Sequence, residues 1–263
     1  MESFRYIFVA QMEWLQQWTG GQFTIAEWGW LVFSGICIGM AKAGLSGLGL
    51  LAIPVLASMM GARDSTGFVL PLLIAGDIFG VIYYNRHANI ALLLKLAPST
   101  LIGLFGALFL GGSINDDQFR TLLGGVIILG VAVMIWRGIR RSPIPTTRLF
   151  ANTMGSLGGF TTMVGNAAGP VLSIYLLAMQ LPKNNFIGTA AWFFLGVNLI
   201  KVPLQAFYWD TITLQTLKVN LMLVPIVVCS VLIGLVVVKY IPERPFKIFV
   251  IISVLMAALK MFF

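Results

Sequence analysis

The stretch of residues 35–54, GICIGMAKAGLSGLGLLAIP, restricts the fold of this chain more than any other part of its sequence. It lies inside an apolar run, residues 28–60, that is long enough to enter a bilayer. Glycine recurs through the stretch, and Lys42 and Pro54 interrupt its apolar character. An interior glycine destabilises a helix by about 1 kcal/mol and an interior proline by about 3 kcal/mol. We therefore predict a helix that breaks at membrane depth, where irregular backbone must be buried in protein or line a wet cavity.

The composition indicates a polytopic membrane protein. Of the 263 residues, 59% are hydrophobic and 10% are charged, and the mean hydropathy is +0.94. Soluble domains carry about 25% charged residues. The net charge of +8 comes with no basic stripe or arm, so we expect no nucleic-acid partner. Both cysteines lie in apolar runs, and no disulfide is expected.

The chain divides into two similar halves. An N-terminal interfacial arm, residues 1–24, precedes the first transmembrane repeat, residues 25–136. A basic linker, residues 137–148, leads to the second repeat, residues 149–263. The positive-inside rule places this linker in the cytoplasm. In each half a glycine-rich segment, the second being residues 154–181, precedes three plain apolar spans. The expected spans are residues 66–84, 90–111, 119–136, 186–207, 214–238 and 246–263.

An internal repeat relates the two halves. At an offset of 127, Pro98 falls on Pro225 and residues 114–120 fall on residues 241–247. An ordered set of matches at two constant offsets indicates duplication. At an offset of 120, four glycines of the first half coincide with four of the second: Gly35, Gly39, Gly49 and Gly76 fall on Gly155, Gly159, Gly169 and Gly196.

The predicted fold is an all-α polytopic membrane protein, for which two topologies are open. If each glycine-rich segment crosses the membrane, each half crosses four times and the halves are parallel. If each segment returns as a hairpin of half-helices, each half crosses three times and the halves are inverted repeats. The positive-inside rule favours the inverted arrangement, which also sends the acidic turns at Asp116 and Asp210 outward.

Two interrupted segments at matching positions predict the binding site of a transporter. A half-helix that begins at midplane presents unpaired N–H groups and a positive dipole end, which suit an anion. The alternative is close helix packing through small residues. The predicted substrate-binding residues lie in the two interrupted segments: Lys42, Ser46, Gly47, Gly49, Gly165, Asn166, Ala167 and Gly169.

Lys42, Asp77 and Lys201 lie well inside the apolar segments. Lys42 is predicted to contact the anion, with snorkelling or an ion pair with Asp77 as the alternatives. Asp77 is predicted to be a proton-coupling group or the counter-ion of Lys42 or Lys201. Lys201 lies in the middle of a span and shares this coupling or counter-ion role.

The remaining polar and aromatic features have simpler interpretations. A turn is expected over residues 61–65, and His87 is expected in a solvated link. No metal site and no cofactor are expected, because His, Cys and carboxylates do not cluster. Aromatic residues at span ends are expected in the interfacial belts: Tyr83, Tyr84, Tyr208 and Trp209.

The chain resembles the TauE/SafE family of sulfite exporters over about residues 28–263. The resemblance implies a bacterial-type inner-membrane permease that exports small sulfur-containing anions such as sulfite or an organosulfonate. Family members usually have fuller glycine runs, whereas Leu48 and the Asn166-Ala-Ala sequence interrupt them here. The motif that carries the resemblance comprises Gly39, Gly44, Gly47, Gly49 and Pro54 in the first half, with Gly155, Gly169 and Pro170 in the second.

The leading functional hypothesis is a proton-coupled secondary transporter in which the two halves rock about a midplane site. Its partners would be the small anion and membrane lipid, and a homo-oligomer is left open. A non-transporting assembly or regulatory subunit is the alternative. A membrane-embedded enzyme is disfavoured, because the sequence has no HExxH helix and no G-x-S-x-G elbow.

Overall fold

A computed structural model describes residues 23–43, 45, 47–84, 88–139 and 147–237, together with residues 240, 248, 251, 252, 254–256, 259 and 262. These residues form helices, as the sequence predicts, and no strand occurs among them. In chain order the helices are α1 (Ile25–Lys42), α2 (Leu48–Met60), α3 (Ala62–Tyr84), α4 (Ile90–Ser113), α5 (Asp116–Ile139), α6 (Arg148–Gly165), α7 (Ala168–Ala178), α8 (Lys183–Phe207) and α9 (Leu214–Val237).

Four of these helices, α3, α4, α8 and α9, are long and apolar enough to cross a membrane. The helices α2 and α7 are apolar but short, with 13 and 11 residues. The expectations for the N-terminal arm, His87, most of the basic linker and most of the last span lie outside the described residues. The same holds for the side chains of Tyr83 and Tyr84. The chain is thus a multi-pass helical membrane protein.

Both predicted interruptions are confirmed. The first helix ends at Lys42, and α2 begins after Gly47, whose φ of 111° suits glycine. The second break is shorter, because Asn166 adopts the left-handed conformation at φ 51° and ends α6. Pro54 lies inside α2, so the break precedes the proline and lies beside Lys42, as the sequence predicts. Pro170 lies in the first turn of α7, where an N–H would have no helical acceptor.

Glycines bring two pairs of helices into close contact. A Cβ placed on Gly39 of α1 would lie 2.6 Å from Ser230 Cβ of α9. A Cβ placed on Gly159 of α6 would lie 2.8 Å from the backbone nitrogen of Leu104 in α4. The predicted alternative of close packing through small residues therefore applies to these glycines, which lie away from the breaks.

These contacts also give the direction of each helix pair. Along α1 and α9, Gly35 faces Ile226 while Ala43 faces Gly234, so both residue numbers rise together and the helices run parallel. The pair α6 and α4 is parallel in the same sense, since Gly155 faces Ser99 and Gly159 faces Leu104.

The central pair, α3 and α8, runs in opposite directions. Gly80 of α3 faces Ala191 of α8, and Asp77 contacts Asn198. Thr66, near the start of α3, accepts a hydrogen bond from Gln205, near the end of α8. Residue numbers therefore fall along α8 as they rise along α3.

Contacts at one end of the molecule differ from two expectations, which concern the turn before α3 and the position of Trp209. The turn predicted over residues 61–65 is limited to Gly61, because the Asp116 carboxylate accepts bonds from the backbone N–H groups of Ala62 and Arg63 and starts α3 there. Trp209 is 7% exposed and is no belt residue. Its Nε1 donates to the Leu108 carbonyl at 3.1 Å, which satisfies the indole in the core.

Candidate functional site

An ion pair lies at the end of α1. The Lys42 ammonium is 2.5 Å from Asp77 Oδ1, and Asn198 Nδ2 donates to Asp77 Oδ2 at 2.7 Å. The Asp77 side chain is 2% exposed and that of Lys42 is 18% exposed. The ammonium also lies 4.8 Å from the ring centroid of Phe194. Of the two counter-ion partners predicted for Asp77, the structure has Lys42.

Glycine makes room for this pair. The Lys42 side chain crosses α3 at Gly76, where an added Cβ would lie 2.9 Å from Lys42 Cγ. A larger residue at position 76 would push the lysine away from the neighbouring Asp77. Gly76 is one of the four glycines in the repeat pattern, and its role is to let a charged side chain pass.

A second lysine lies at the other break. Lys201 of α8 is fully buried and donates to the Thr162 carbonyl at 2.7 Å and to Asn166 Oδ1. Thr162 lies in the last turn of α6, so the ammonium interacts favourably with the negative end of that helix. Lys42 thus pairs with a carboxylate, whereas the hydrogen-bond partners of Lys201 are neutral oxygens.

Asn166 joins this lysine to α3. While its Oδ1 accepts from Lys201, its Nδ2 donates to the Thr66 carbonyl at 3.2 Å. Gln205 Nε2 donates to the Thr66 hydroxyl at 3.2 Å, and Thr211 donates to Gln205 Oε1. These buried groups form a polar row between α3 and α8.

Asn198 and Gln205 belong to these polar contacts, but neither has a role predicted from the sequence. With Lys201 they are spaced by three and four residues, which puts all three on one face of α8. A polar stripe at helical spacing within an apolar span is a signal that could have identified them. Thr66 has no comparable signal, because a threonine in a helix commonly bonds its own backbone, as this one also does.

The two breaks come close to the same helix. A Cβ placed on Gly130 of α5 would lie 3.8 Å from Leu50 of α2 and 3.8 Å from Pro170 of α7. Both short helices begin without a side-chain cap, after Gly47 and Ala167 respectively. In the first turn of α2, however, the N–H groups of Leu48 and Leu50 already donate to the carbonyls of Leu45 and Gly47, which leaves fewer donors for another acceptor.

The predicted site residues differ in their surroundings. Gly165 packs on α5, where an added Cβ would lie 2.7 Å from Leu123. Gly49 faces Ala41 at 3.4 Å, and Ala167 is 1% exposed. Gly169 is half-buried, and no atom lies within 4 Å of the Cβ that it lacks. Ser46 lies outside the described residues.

Two further sequence expectations concern sulfur and metals. Cys37 is buried and Cys229 is exposed, and both are free. Among the residues that the structure describes, no group of three or more His, Cys, Asp or Glu side chains could hold a metal ion.

A recess of about 420 Å³ lies elsewhere, between α3, α8 and α9. Its lining is almost entirely apolar, so it offers an anion no charge and few hydrogen bonds. The lining residues are Pro71, Ile74, Val202, Ala206, Ile212, Thr213, Leu214 and Leu217.

Comparison with known proteins identifies a family for this chain. The comparison with curated proteins and the comparison with solved structures gave no match. The family model of the sulfite exporter TauE/SafE matches residues 31–261, which is most of the chain. The chain therefore belongs to the sulfite exporter TauE/SafE family, whose members are membrane transporters of sulfite and related sulfur anions.

Proposed function

We propose that the chain is a proton-coupled secondary transporter that exports small sulfur-containing anions, such as sulfite or an organosulfonate, across a bacterial-type inner membrane. The observation that carries the proposal is the pair of helix breaks, each with a buried or half-buried lysine beside it. A membrane anchor or a purely structural subunit has no need for such charges, which are costly at membrane depth.

We infer that the anion binds between the breaks. Lys42, Ser46, Gly47 and Gly49 would face it from the first break, and four residues from the second: Gly165, Asn166, Ala167 and Gly169. The approach of Leu50 and Pro170 to Gly130 supports this placement, because it brings the starts of α2 and α7 to the same part of α5. The open space beside Gly169 supports it as well.

We infer that Asp77 is the proton-coupling group. It is the acid of the ion pair with Lys42, and it is buried beside an amide donor, Asn198. Protonation of Asp77 would remove the negative charge beside Lys42 and make the site more positive, which favours the binding of an anion. A proton and an anion would then occupy the site together, which is the physical basis of coupling.

The helix directions support inverted repeats with hairpins at both breaks. The helix α9 follows α8 through a short turn, so it runs opposite to α8 and parallel to α3. Since α1 is parallel to α9, α1 and α3 run in the same direction. The intervening α2 must then return towards the side from which α1 entered. The same reasoning, from α4, α6 and α8, makes α7 a returning half-helix.

Equivalent contacts support the duplication itself. Gly39 faces Val227 and Val231, while Gly159 faces Thr100 and Leu104. The glycines differ by 120 residues, and the residues that they face differ by 127, which are the two offsets of the sequence repeat. Gly35 with Ile226 and Gly155 with Ser99 obey the same offsets.

Transport in proteoliposomes tests the function. Vesicles loaded with ³⁵S-labelled sulfite under nitrogen should lose label only when they contain the protein, and an imposed pH gradient should change the rate. Lys42→Ala and Ser46→Ala should each slow the efflux. Unchanged efflux in both variants would reject this site assignment. No efflux of sulfite or sulfoacetate by the wild type, together with a co-purifying partner, would instead favour an assembly subunit.

Cysteine labelling tests the topology. In a background of Cys37→Ser and Cys229→Ser, an impermeant maleimide should label Asp117→Cys and Asp210→Cys in intact cells. Arg148→Cys should react only after lysis. All three positions are exposed. If the second glycine-rich segment crosses the membrane, Asp210→Cys will be protected in intact cells while Asp117→Cys still reacts.

A further inference from the structure

We propose that Lys201, rather than Lys42, supplies the positive charge that holds the substrate anion. The proposal rests on the function proposed above and exchanges the roles that the sequence suggests for the two lysines. Its starting point is the charge balance of the two breaks. Lys42 and Asp77 neutralise each other at 2.5 Å, so the first break carries no net charge.

The second break carries the positive charge that this pair leaves over. The Lys201 side chain is 0% exposed, and its ammonium is held by the Thr162 carbonyl and Asn166 Oδ1. Asp77, which Asn198 holds one helical turn from Lys201 along α8, is already paired with Lys42. Two lysines thus share one carboxylate, so a net positive charge stays buried and the site gains free energy when an anion enters.

Space for the anion lies near the second break but is closed off from the ammonium, because Lys201 is 0% exposed. Asn166, which accepts from Lys201, is followed after one residue by α7, and the first turn of this helix contains Gly169. No atom lies within 4 Å of the position of a Gly169 Cβ. Movement of the break would open this space to Lys201, and a sulfonate or sulfite oxygen could then replace Asn166 Oδ1 as the acceptor for Lys201. Asn166 would then be the group that the anion displaces.

The two lysines would therefore act in different steps. Lys42, whose side chain is 18% exposed, is the more accessible of the two lysines, but its ammonium is already paired with Asp77. Lys201 is closed off in this state and must be uncovered by movement of the α6–α7 break. The anion would be attracted by one site and held by the other.

Binding of sulfite to the purified detergent-solubilised protein tests this assignment. The apparent melting temperature of the wild type should rise with sulfite concentration under nitrogen. In Lys201→Gln the affinity should fall about 30-fold or more, as expected when a buried charged partner is lost. Lys201→Arg should retain part of the shift. Lys95→Gln, which removes an exposed charge from α4, is the matched control and should bind as the wild type does.

A second variant keeps the test informative if Lys201→Gln does not fold. Lys201→Met replaces the buried charge by an apolar side chain of similar length, a change that is often tolerated. It should be folded and should show no sulfite-dependent shift. Sulfite binding of wild-type strength in Lys201→Met, together with its loss in Lys42→Gln/Asp77→Asn, would overturn the assignment. If the wild type transports sulfite and Lys201→Met transports it equally well, this inference is overturned and the proposed function stands.

Discussion

The two helix breaks solve the same physical problem in different ways. At the first break, a lysine at the end of α1 is neutralised by a carboxylate on α3. At the second, a lysine on α8 reaches across to the end of α6, where its hydrogen-bond acceptors are neutral oxygens. The two breaks therefore differ in the charge of the groups that contact each lysine.

The largest loss of stability is expected when the carboxylate that neutralises Lys42 is removed. Asp77→Ala leaves the Lys42 ammonium without its counter-ion and should destabilise the fold by about 3 kcal/mol. Lys201→Met should cost less, because it leaves no charge behind. Thermal unfolding of the two purified variants measures the difference, and Asp117→Ala at an exposed position is the control. An equal loss in both variants would contradict the asymmetry.

A second prediction sharpens the comparison of the helices that lead into the breaks. Gly159→Ala forces a methyl group against the backbone of α4 and should cost about 1–3 kcal/mol, and Gly39→Ala should cost a similar amount against α9. Gly106→Ala should instead stabilise the helix by up to about 1 kcal/mol, because nothing lies within 4 Å of its added methyl. Melting temperatures of the three variants test this. A neutral Gly159→Ala would show that the α4–α6 contact can relax.

The smallest effect concerns the conformation of Asn166. Both Asn166→Ala and Asn166→Gly remove its bonds to Lys201 and Thr66, but only alanine must also hold a left-handed φ of 51°. The alanine variant should be the less stable of the two by about 1 kcal/mol. The difference between their unfolding midpoints measures the free-energy cost of the left-handed backbone conformation for alanine at this position. If the order is reversed, the break does not depend on that conformation.

The interruptions could be predicted from the sequence because their causes are local. Glycines, a proline and polar residues in an apolar run disfavour a continuous helix whatever the rest of the chain does. The length of the turn before α3 could not, since it depends on Asp116, which lies 54 residues from Ala62. Pro54 shows that such local costs can be overcome, because a helix buried on most sides can retain a proline that an isolated helix could not.

The site was only partly predictable for a similar reason. Lys42 and Asp77 stand out because charges are rare in membrane spans, and their pairing was among the alternatives considered. The partners of Lys201 did not follow from the sequence, because Thr162 is 39 residues away and acts through its backbone carbonyl. A main-chain acceptor has no signature in the residue type. The burial of Trp209 likewise depends on a carbonyl 101 residues away.

The close glycine contacts of α1 with α9 and of α6 with α4 have a consequence for motion. Since α1 packs on α9 and α6 packs on α4, each helix that leads into a break contacts a helix from the other half of the chain. Rotation of residues 25–136 against residues 149–263 as two rigid bodies would break both of these helix–helix contacts. A conformational change that preserves the contacts must move α9 together with α1 and α4 together with α6. Each moving body would then contain helices from both halves of the chain.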